Sequence, residues 1–191
     1  DNRHYVVVLY HTKIQIMTTL LVPTDFSASA DNALLYAIEM AKNYKFDILL
    51  YNVVQLSTPD FSHLANVDDF GSIVDDIRKN MKAKEMFLQS KYPEVPFSSQ
   101  VDTGLLLDSI NEKCNEIRPV AVVMGISGSG VGIDKLIGSN AILAMKHINY
   151  PLIVVPKDAS FKSVHKICLA CDLKNVLTST PLISIRAFTK L

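Results

Sequence analysis

The chain has 191 residues, of which 49% are apolar and 20% charged, and its 19 basic and 19 acidic residues give a formal net charge of zero. This balance argues against a disordered chain and against a strongly basic nucleic-acid-binding protein. No apolar run approaches the roughly 18 residues that a membrane span needs. We therefore expect one soluble, cytoplasmic domain with a short additional segment, and neither nucleic acid nor membrane as a partner.

The first predicted strand leads into a helix. Residues 1–16 show no clear periodicity, and we interpret them as a leader or an atypical N-terminal segment. The apolar run at residues 18–22 predicts a strand, and the turn at 23–27 predicts a helix with Ser27 as its N-cap. Small apolar residues at helical spacing predict a narrow face that can lie close to a sheet. They are Ala30, Ala33, Leu34, Ala37, Ile38 and Ala41.

Asp25 stands in the turn after this strand. Aspartate is favoured in turns and at helix caps, which gives the residue a purely structural interpretation. It also stands at the carboxyl end of a predicted parallel strand, where open α/β sheets bind ligands. The sequence leaves both interpretations open.

The next strand and helix are separated by a long polar stretch. Residues 47–54 predict a strand, and 55–68 predict either a lid over the strand ends or a mobile loop. A helix is predicted over about 69–91, with one apolar face and one solvated, charged face. The inward residues are Val74, Ile77, Met81 and Leu88, and the outward ones are Asp75, Arg78, Lys79, Lys82 and Glu85.

The remaining elements continue the alternation of strand and helix. Strands are predicted at 97–101, 120–124 and 152–155, and Asp102-Thr103-Gly104 reads as a turn and helix cap. The third helix has an inner face of Leu106, Ile110, Cys114 and Ile117, and the fourth runs from Gly138-Ser139 to His147. The whole pattern predicts an α/β fold: a doubly wound, five-stranded parallel sheet with helices on both faces, Rossmann-like.

A glycine-rich stretch follows the fourth strand. Gly125, Gly128, Gly130 and Gly132 permit positive φ, so successive backbone N–H groups can turn toward an anion. The unpaired N–H groups at the start of the next helix add to such a site. The alternative is a tight turn without a ligand, because glycine also serves purely structural turns.

The C-terminal part resembles the beginning of the chain. Residues 166–172 form an apolar run that ends in aspartate, as residues 19–25 do. We therefore predict one α/β domain over 17–157, followed at 158–191 by a linker and an incomplete second repeat with its first βα unit.

The three cysteines predict no disulfide framework and fit a reducing compartment. Cys168 and Cys171 have redox-motif spacing, but in a strand an odd offset sends the two thiols to opposite faces. Cys114 is best interpreted as a small core residue. The five histidines show no paired ligand spacing, so no metal site is predicted.

Two features together resemble the universal stress protein family. The first is Leu-Leu-Val-Pro-Thr-Asp-Phe-Ser at residues 20–27, followed by the alanine-rich helix. The second is the family's nucleotide signature, glycine, two residues, glycine, nine residues, glycine and then serine or threonine. Here it comprises Gly125, Gly128, Gly138 and Ser139.

The resemblance extends from about residue 17 to 156 and implies binding of ATP or AMP, with or without Mg²⁺. It implies contacts to the nucleoside, the base and the phosphates, and no catalytic residue. The implied nucleotide-binding residues are Pro23, Thr24, Asp25, Val53, Met124, Gly125, Gly128, Gly138, Ser139 and Asn140. The family often has His-Gly-Arg where this chain has Ser127-Gly128-Ser129, so a cation near the phosphates is missing.

The resemblance implies a stress-response or signalling module that binds an adenine nucleotide and changes its conformation or its partner. Two alternatives stay open: a slow ATP hydrolase and a nucleotide-free dimeric scaffold. The chain lacks a Gly-Lys-Ser/Thr phosphate loop, so at most weak ATPase activity is expected. The apolar strand at 152–155 is predicted to lie at an edge, and family members commonly pair there, so we expect a homodimer.

Overall fold

The computed structural model describes residues 18–55, 67–126 and 139–163. Within these residues five strands alternate with four helices, which confirms the predicted α/β fold. The elements are β1 (Thr19–Pro23), α1 (Ala28–Tyr44), β2 (Asp47–Val54), α2 (Val67–Lys91), β3 (Phe97–Thr103), α3 (Leu106–Ile117), β4 (Ala121–Ile126), α4 (Ser139–His147) and β5 (Leu152–Pro156).

The five strands form one parallel sheet in the order β3-β2-β1-β4-β5. The chain first builds outward from β1 to β2 and β3, then returns to place β4 on the other side of β1. This reversal makes the gap between the carboxyl ends of β1 and β4 a topological switch point, the usual place for a ligand in such sheets. The doubly wound sheet predicted from the alternation is therefore confirmed.

Hydrophobic side chains alternate between the two faces of the central strand. Leu20 and Val22 pack under α1 and α2, whereas Leu21 packs under α3 and α4. All three side chains are fully buried. Because both faces of the sheet are covered by helices, the central strands consist of continuous apolar runs.

Helix α1 begins as the sequence predicts. Ser27 is the N-cap, and its Oγ accepts a hydrogen bond from the N–H of Ala30 at 3.2 Å. The helix ends at Lys45, which adopts the left-handed conformation and donates its N–H to the carbonyl of Ala41. The buried alanines of its inner face allow a close approach to the sheet.

Strand β3 is longer than predicted. Asp102 and Thr103 continue the ladder with Val53 and Val54 of β2, so the predicted turn and cap at these two residues are wrong. The turn comes at Gly104, which has a φ of 153°. Leu105, the N-cap residue of α3, makes no capping hydrogen bond with its side chain.

The structure confirms the predicted inner face of α2, but the prediction for one residue of its outer face is wrong. Val74, Met81 and Leu88 are buried, and Ile77 is half-buried. Glu85 was predicted to face solvent, but its side chain is only 14% exposed and accepts a hydrogen bond from the Ser99 hydroxyl at 2.6 Å. The helix begins at Val67, two residues before the predicted start. Most of the predicted lid, residues 56–66, lies outside the described residues.

The residues after β5 pack back onto α1. The side-chain amide of Asn32 donates to the carbonyls of Pro156 and Ala159, at 2.9 and 3.3 Å. Phe161 meets the ring of Tyr36 edge-on, with 5.3 Å between the ring centroids. The first part of the predicted linker is therefore attached to the α1 side of the sheet.

Candidate functional site

The candidate site lies where β1 and β4 end side by side. Leu20 and Leu21 of β1 pair with Ala121 and Val122 of β4, so both strands deliver their carboxyl ends to the same edge of the sheet. The turn into α1 follows β1 at this edge. Of the residues expected to contact a nucleotide, Gly128 and Gly138 lie outside the described residues.

Hydrogen bonds fix the conformation of the turn after β1. Thr24 is 6% exposed; its N–H donates to the carbonyl of Tyr51 at 2.8 Å, and its Oγ1 accepts from the N–H of Phe26 at 3.1 Å. Phe26 has a φ of 61°, a conformation that costs a bulky residue free energy and persists only where the surroundings impose it. The position of the neighbouring Asp25 is therefore well determined.

Asp25 is exposed at this edge and uses one of its two carboxylate oxygens locally. Its Oδ1 accepts the N–H of Ser27 at 3.0 Å, which confirms the interpretation as a turn residue. Within residues 18–55, 67–126 and 139–163, no group donates a hydrogen bond to Oδ2. One oxygen can therefore accept from a ligand while the other holds the turn.

Asn52 is a structural residue of the site that sequence reasoning missed. It is 8% exposed, and its Nδ2 donates to the carbonyl of Thr24 at 2.7 Å. Its Oδ1 is buried without a hydrogen-bond partner in the described residues. The sequence contains one indication of this role, a single amide side chain within the otherwise apolar run of β2. Asn52 thus fixes the turn that presents Asp25.

We expect Asn52→Ala to lower the free energy of unfolding by about 1–2 kcal/mol, because the buried carbonyl of Thr24 loses its partner. Loss of the unpaired Oδ1 partly offsets this cost. Urea denaturation measures the change. Asn43→Ala is the matched control, since it removes an exposed amide that donates to the carbonyl of Glu39 at 2.7 Å. Equal losses in the two variants would contradict the role assigned to Asn52.

Val53 and Met124 lie on the same face of the sheet. Met124 is 9% exposed and belongs to the hydrophobic cluster beneath α3 and α4, and the half-buried Val53 packs against that cluster. Pro23, which ends β1, is buried. The structure thus places these three apolar residues at the edge of the sheet beside the Asp25 turn.

Close packing leaves no room for a side chain at Gly125. A Cβ atom at this position would lie 2.0 Å from the backbone oxygen of Ser29 and 2.5 Å from its carbonyl carbon. These are backbone atoms in the first turn of α1, so they cannot rotate away as a flexible side chain can. The first glycine of the signature therefore lets α1 approach β4, and this requirement holds whether or not a ligand is present.

Helix α4 begins at Ser139 and includes Asn140, as predicted. The first four backbone N–H groups of a helix have no hydrogen-bond partner within the helix, and the helix dipole favours negative charge at this end. Ser139 and Asn140 are thus at a helix N-terminus, the position that the signature requires of them.

The described part of the chain contains one cysteine, Cys114, in a buried position. Burial raises the pKa of the Cys114 thiol to about 12, and the residue is fully buried, which confirms it as a core residue. No group of three His, Cys, Asp or Glu residues that could hold a metal ion is found in the described part of the chain. The pair Cys168 and Cys171 lies outside that part.

Among the helices that the structure describes, none combines the length and the apolar character needed to cross a membrane. The longest of these described helices, α2, carries charged residues along its outer face.

A sequence model of the universal stress protein family matches residues 17–156 of this chain. None of the curated proteins matches it. The match covers the entire sheet and all four described helices.

Several solved structures share this fold. Universal stress protein UspA from Lactobacillus plantarum is 20% identical, with a TM-score of 0.57 and coverage of 72% of this chain and 96% of that chain. A universal stress protein family protein from Arabidopsis thaliana, solved with AMP bound, is 23% identical, with a TM-score of 0.51 and coverage of 74% and 93%. A universal stress protein in complex with cAMP is 16% identical, with a TM-score of 0.52 and coverage of 72% and 97%.

Proposed function

This chain belongs to the universal stress protein family, and from that premise we propose that it binds an adenine nucleotide as a stress-response or signalling module. The observation that carries the proposal is the position of the signature: Gly125 is the second-last residue of β4 and lies against the first turn of α1, and Ser139 begins α4. Two proteins of similar fold were solved with AMP and with cAMP. Their ligands support an adenine nucleotide as the ligand class.

We assign the nucleoside to the β1 side of the crevice and the phosphates to the β4 side. Pro23, Thr24 and Asp25 lie beside the nucleoside, with the unused Oδ2 of Asp25 as an acceptor for ligand hydroxyl or amino groups. Val53 and Met124 supply apolar surface for the base. The phosphates are assigned to backbone N–H groups, since a glycine turn and a helix N-terminus suit an anion. These residues are Gly128, Gly138, Ser139 and Asn140, whereas Gly125 lines the pocket beside Met124.

The proposal predicts that AMP and ATP raise the melting temperature. A ligand at about one hundred times its Kd stabilises the native state by about 2.7 kcal/mol, which corresponds to a shift of roughly 5–10 °C for a domain of this size. Differential scanning fluorimetry measures the shift, with GMP and inorganic phosphate at equal ionic strength as controls. The absence of a shift with every adenine nucleotide at millimolar concentration would favour a nucleotide-free scaffold.

We expect ATP turnover, if measured, to stay far below about 1 s⁻¹, the low end of typical enzyme rates. Phosphoryl transfer is accelerated by positioning and by fixed positive charge, and residues 125–134 contain neither lysine nor arginine. Phosphate release by the purified protein is the measurement. Lys135→Ala is the informative variant, because fast turnover that this change abolishes would favour an ATP-hydrolysing enzyme over the binding module.

We further propose a homodimer formed through β5. This strand is at one edge of the sheet, and Leu152, Ile153 and Val154 are only half-buried. An unpaired edge with exposed apolar side chains is a surface on which a second chain can add. Sedimentation equilibrium measures the mass of the wild-type protein and of Ile153→Lys. A dimer that the variant loses indicates an interface at β5, and a dimer that it keeps indicates another interface.

A further inference from the structure

A cavity lies beside the candidate nucleotide site, between the end of β3 and helix α3. Its volume is about 330 Å³. None of its lining residues belongs to the proposed nucleotide site, although Asp102 is the ladder partner of Val53. The lining residues are Tyr51, Asp102, Thr103, Ser109, Glu112, Lys113 and Glu116.

The lining carries more negative than positive charge. Three carboxylates, from Asp102, Glu112 and Glu116, face one ammonium group, from Lys113, which leaves two negative charges in excess. Lys113 is 6% exposed and pairs with Glu116, whose side chain is 65% exposed. Within the described residues Asp102 and Glu112 form no ion pair, so the cavity wall presents two carboxylates without a cationic partner.

Asp102 is held in place by neutral donors. The Tyr51 hydroxyl donates to its Oδ2 at 2.7 Å, and the Gln100 amide donates to the same carboxylate at 3.0 and 3.1 Å. Burial, and then the hydrogen bond to Asp102, raise the pKa of Tyr51, so its hydroxyl stays a neutral donor in the physiological range. A carboxylate fixed in this way binds a cation without an ordering cost of its own.

Ser109 adds a neutral hydrogen-bonding group to the cavity wall. It is 9% exposed and lines the cavity, yet its hydroxyl makes no hydrogen bond with any described residue. Its backbone carbonyl, by contrast, accepts from the Tyr51 hydroxyl at 3.3 Å. The hydroxyl is open to the cavity, so it can donate to or accept from a ligand bound there.

We infer that this cavity binds a small organic cation with a primary ammonium or guanidinium group, held by Asp102 and Glu112 and hydrogen-bonded to Ser109. The excess of carboxylates disfavours an anion. The volume is far larger than a bare metal ion requires, and the described residues form no three-ligand metal cluster. A polar cavity at the small end of the range for ligand pockets fits a small, polar molecule.

Isothermal titration calorimetry with putrescine and agmatine tests the inference, with uncharged 1,4-butanediol as the matched ligand control. We expect both amines to bind and the diol not to bind. Asp102→Asn and Glu112→Gln should each weaken the binding by about tenfold or more, because each removes a charge-assisted hydrogen bond. Asp108→Asn, an exposed residue of α3 outside the cavity, should leave the affinity unchanged.

Lys113→Gln should have the opposite effect and strengthen amine binding, because it removes the competing ammonium while Glu116 stays solvated. A purely structural disturbance of the cavity would not give effects of opposite sign. Failure of both amines to bind at millimolar concentration, or equal weakening by Asp108→Asn, would overturn the inference. AMP affinity measured on the same variants should not change, so this test and that of the nucleotide site can fail separately.

Discussion

Gly125→Ala is expected to lower the free energy of unfolding by about 3 kcal/mol, the upper part of the range for overpacked cores. The added Cβ would stand 2.0 Å from the backbone oxygen of Ser29. Because Ser29 lies in the first turn of α1, relief requires the whole helix to move away from β4. This movement would disturb a core that contains the fully buried Ala33 and Ala37. Chemical denaturation of the purified variant measures the loss.

Gly71→Ala is the matched control for this prediction. Gly71 lies within α2, and no atom stands within 4 Å of the position that its Cβ would occupy. Alanine there should raise the free energy of unfolding by about 0.5–1 kcal/mol, since it restricts the unfolded chain and favours the helix. If Gly125→Ala were as stable as Gly71→Ala, the close approach of α1 to β4 would not be a constraint on the sequence.

Gly128→Val is expected to abolish AMP binding and to leave the fold largely intact. Valine disfavours positive φ, and its branched side chain fills the space assigned to a phosphate. Calorimetric titration with AMP measures the affinity, and denaturation of the same sample measures the stability. Asp25→Ala should weaken binding more mildly, because only one ligand hydrogen bond is lost. Parental affinity in Gly128→Val would show that the glycine stretch is not the site.

The contrast between the two glycines follows from their positions in the signature. Gly125 still belongs to β4, and its neighbour in space is the backbone of α1. Its substitution is therefore expected to change stability first and ligand affinity as a consequence. Gly128 comes after the strand, and its substitution is expected to change affinity much more than stability. Measuring both quantities on both variants separates the structural and binding roles of one motif.

Much of the fold followed from periodicity. The alanine face of α1, the apolar run of β2 and the inner face of α3 were predicted from local patterns, because burial on one side of an element leaves a regular trace in the sequence. The end of β3 was not predictable in this way. Asp102 and Thr103 are extended because they pair with Val53 and Val54, and that register is a long-range property.

The site was predictable where a motif specified it and hidden where distant segments meet. Spacing placed Asp25 at the end of β1 and Ser139 at the start of α4. The hydrogen bond from Asn52 to Thr24 and the contact of Gly125 with Ser29 join residues far apart in the chain. No local pattern encodes such contacts, which is why the packing role of Gly125 was not predicted from the sequence.

Native mass spectrometry of the protein in the presence of AMP is the most direct test of the central claim that this chain binds an adenine nucleotide. We predict a mass increase of one AMP per chain that saturates with concentration, is absent with GMP and is lost in Gly128→Val. The same spectrum reports whether the chain forms a dimer. Bare chains at millimolar AMP, together with an unchanged melting temperature, would contradict the claim.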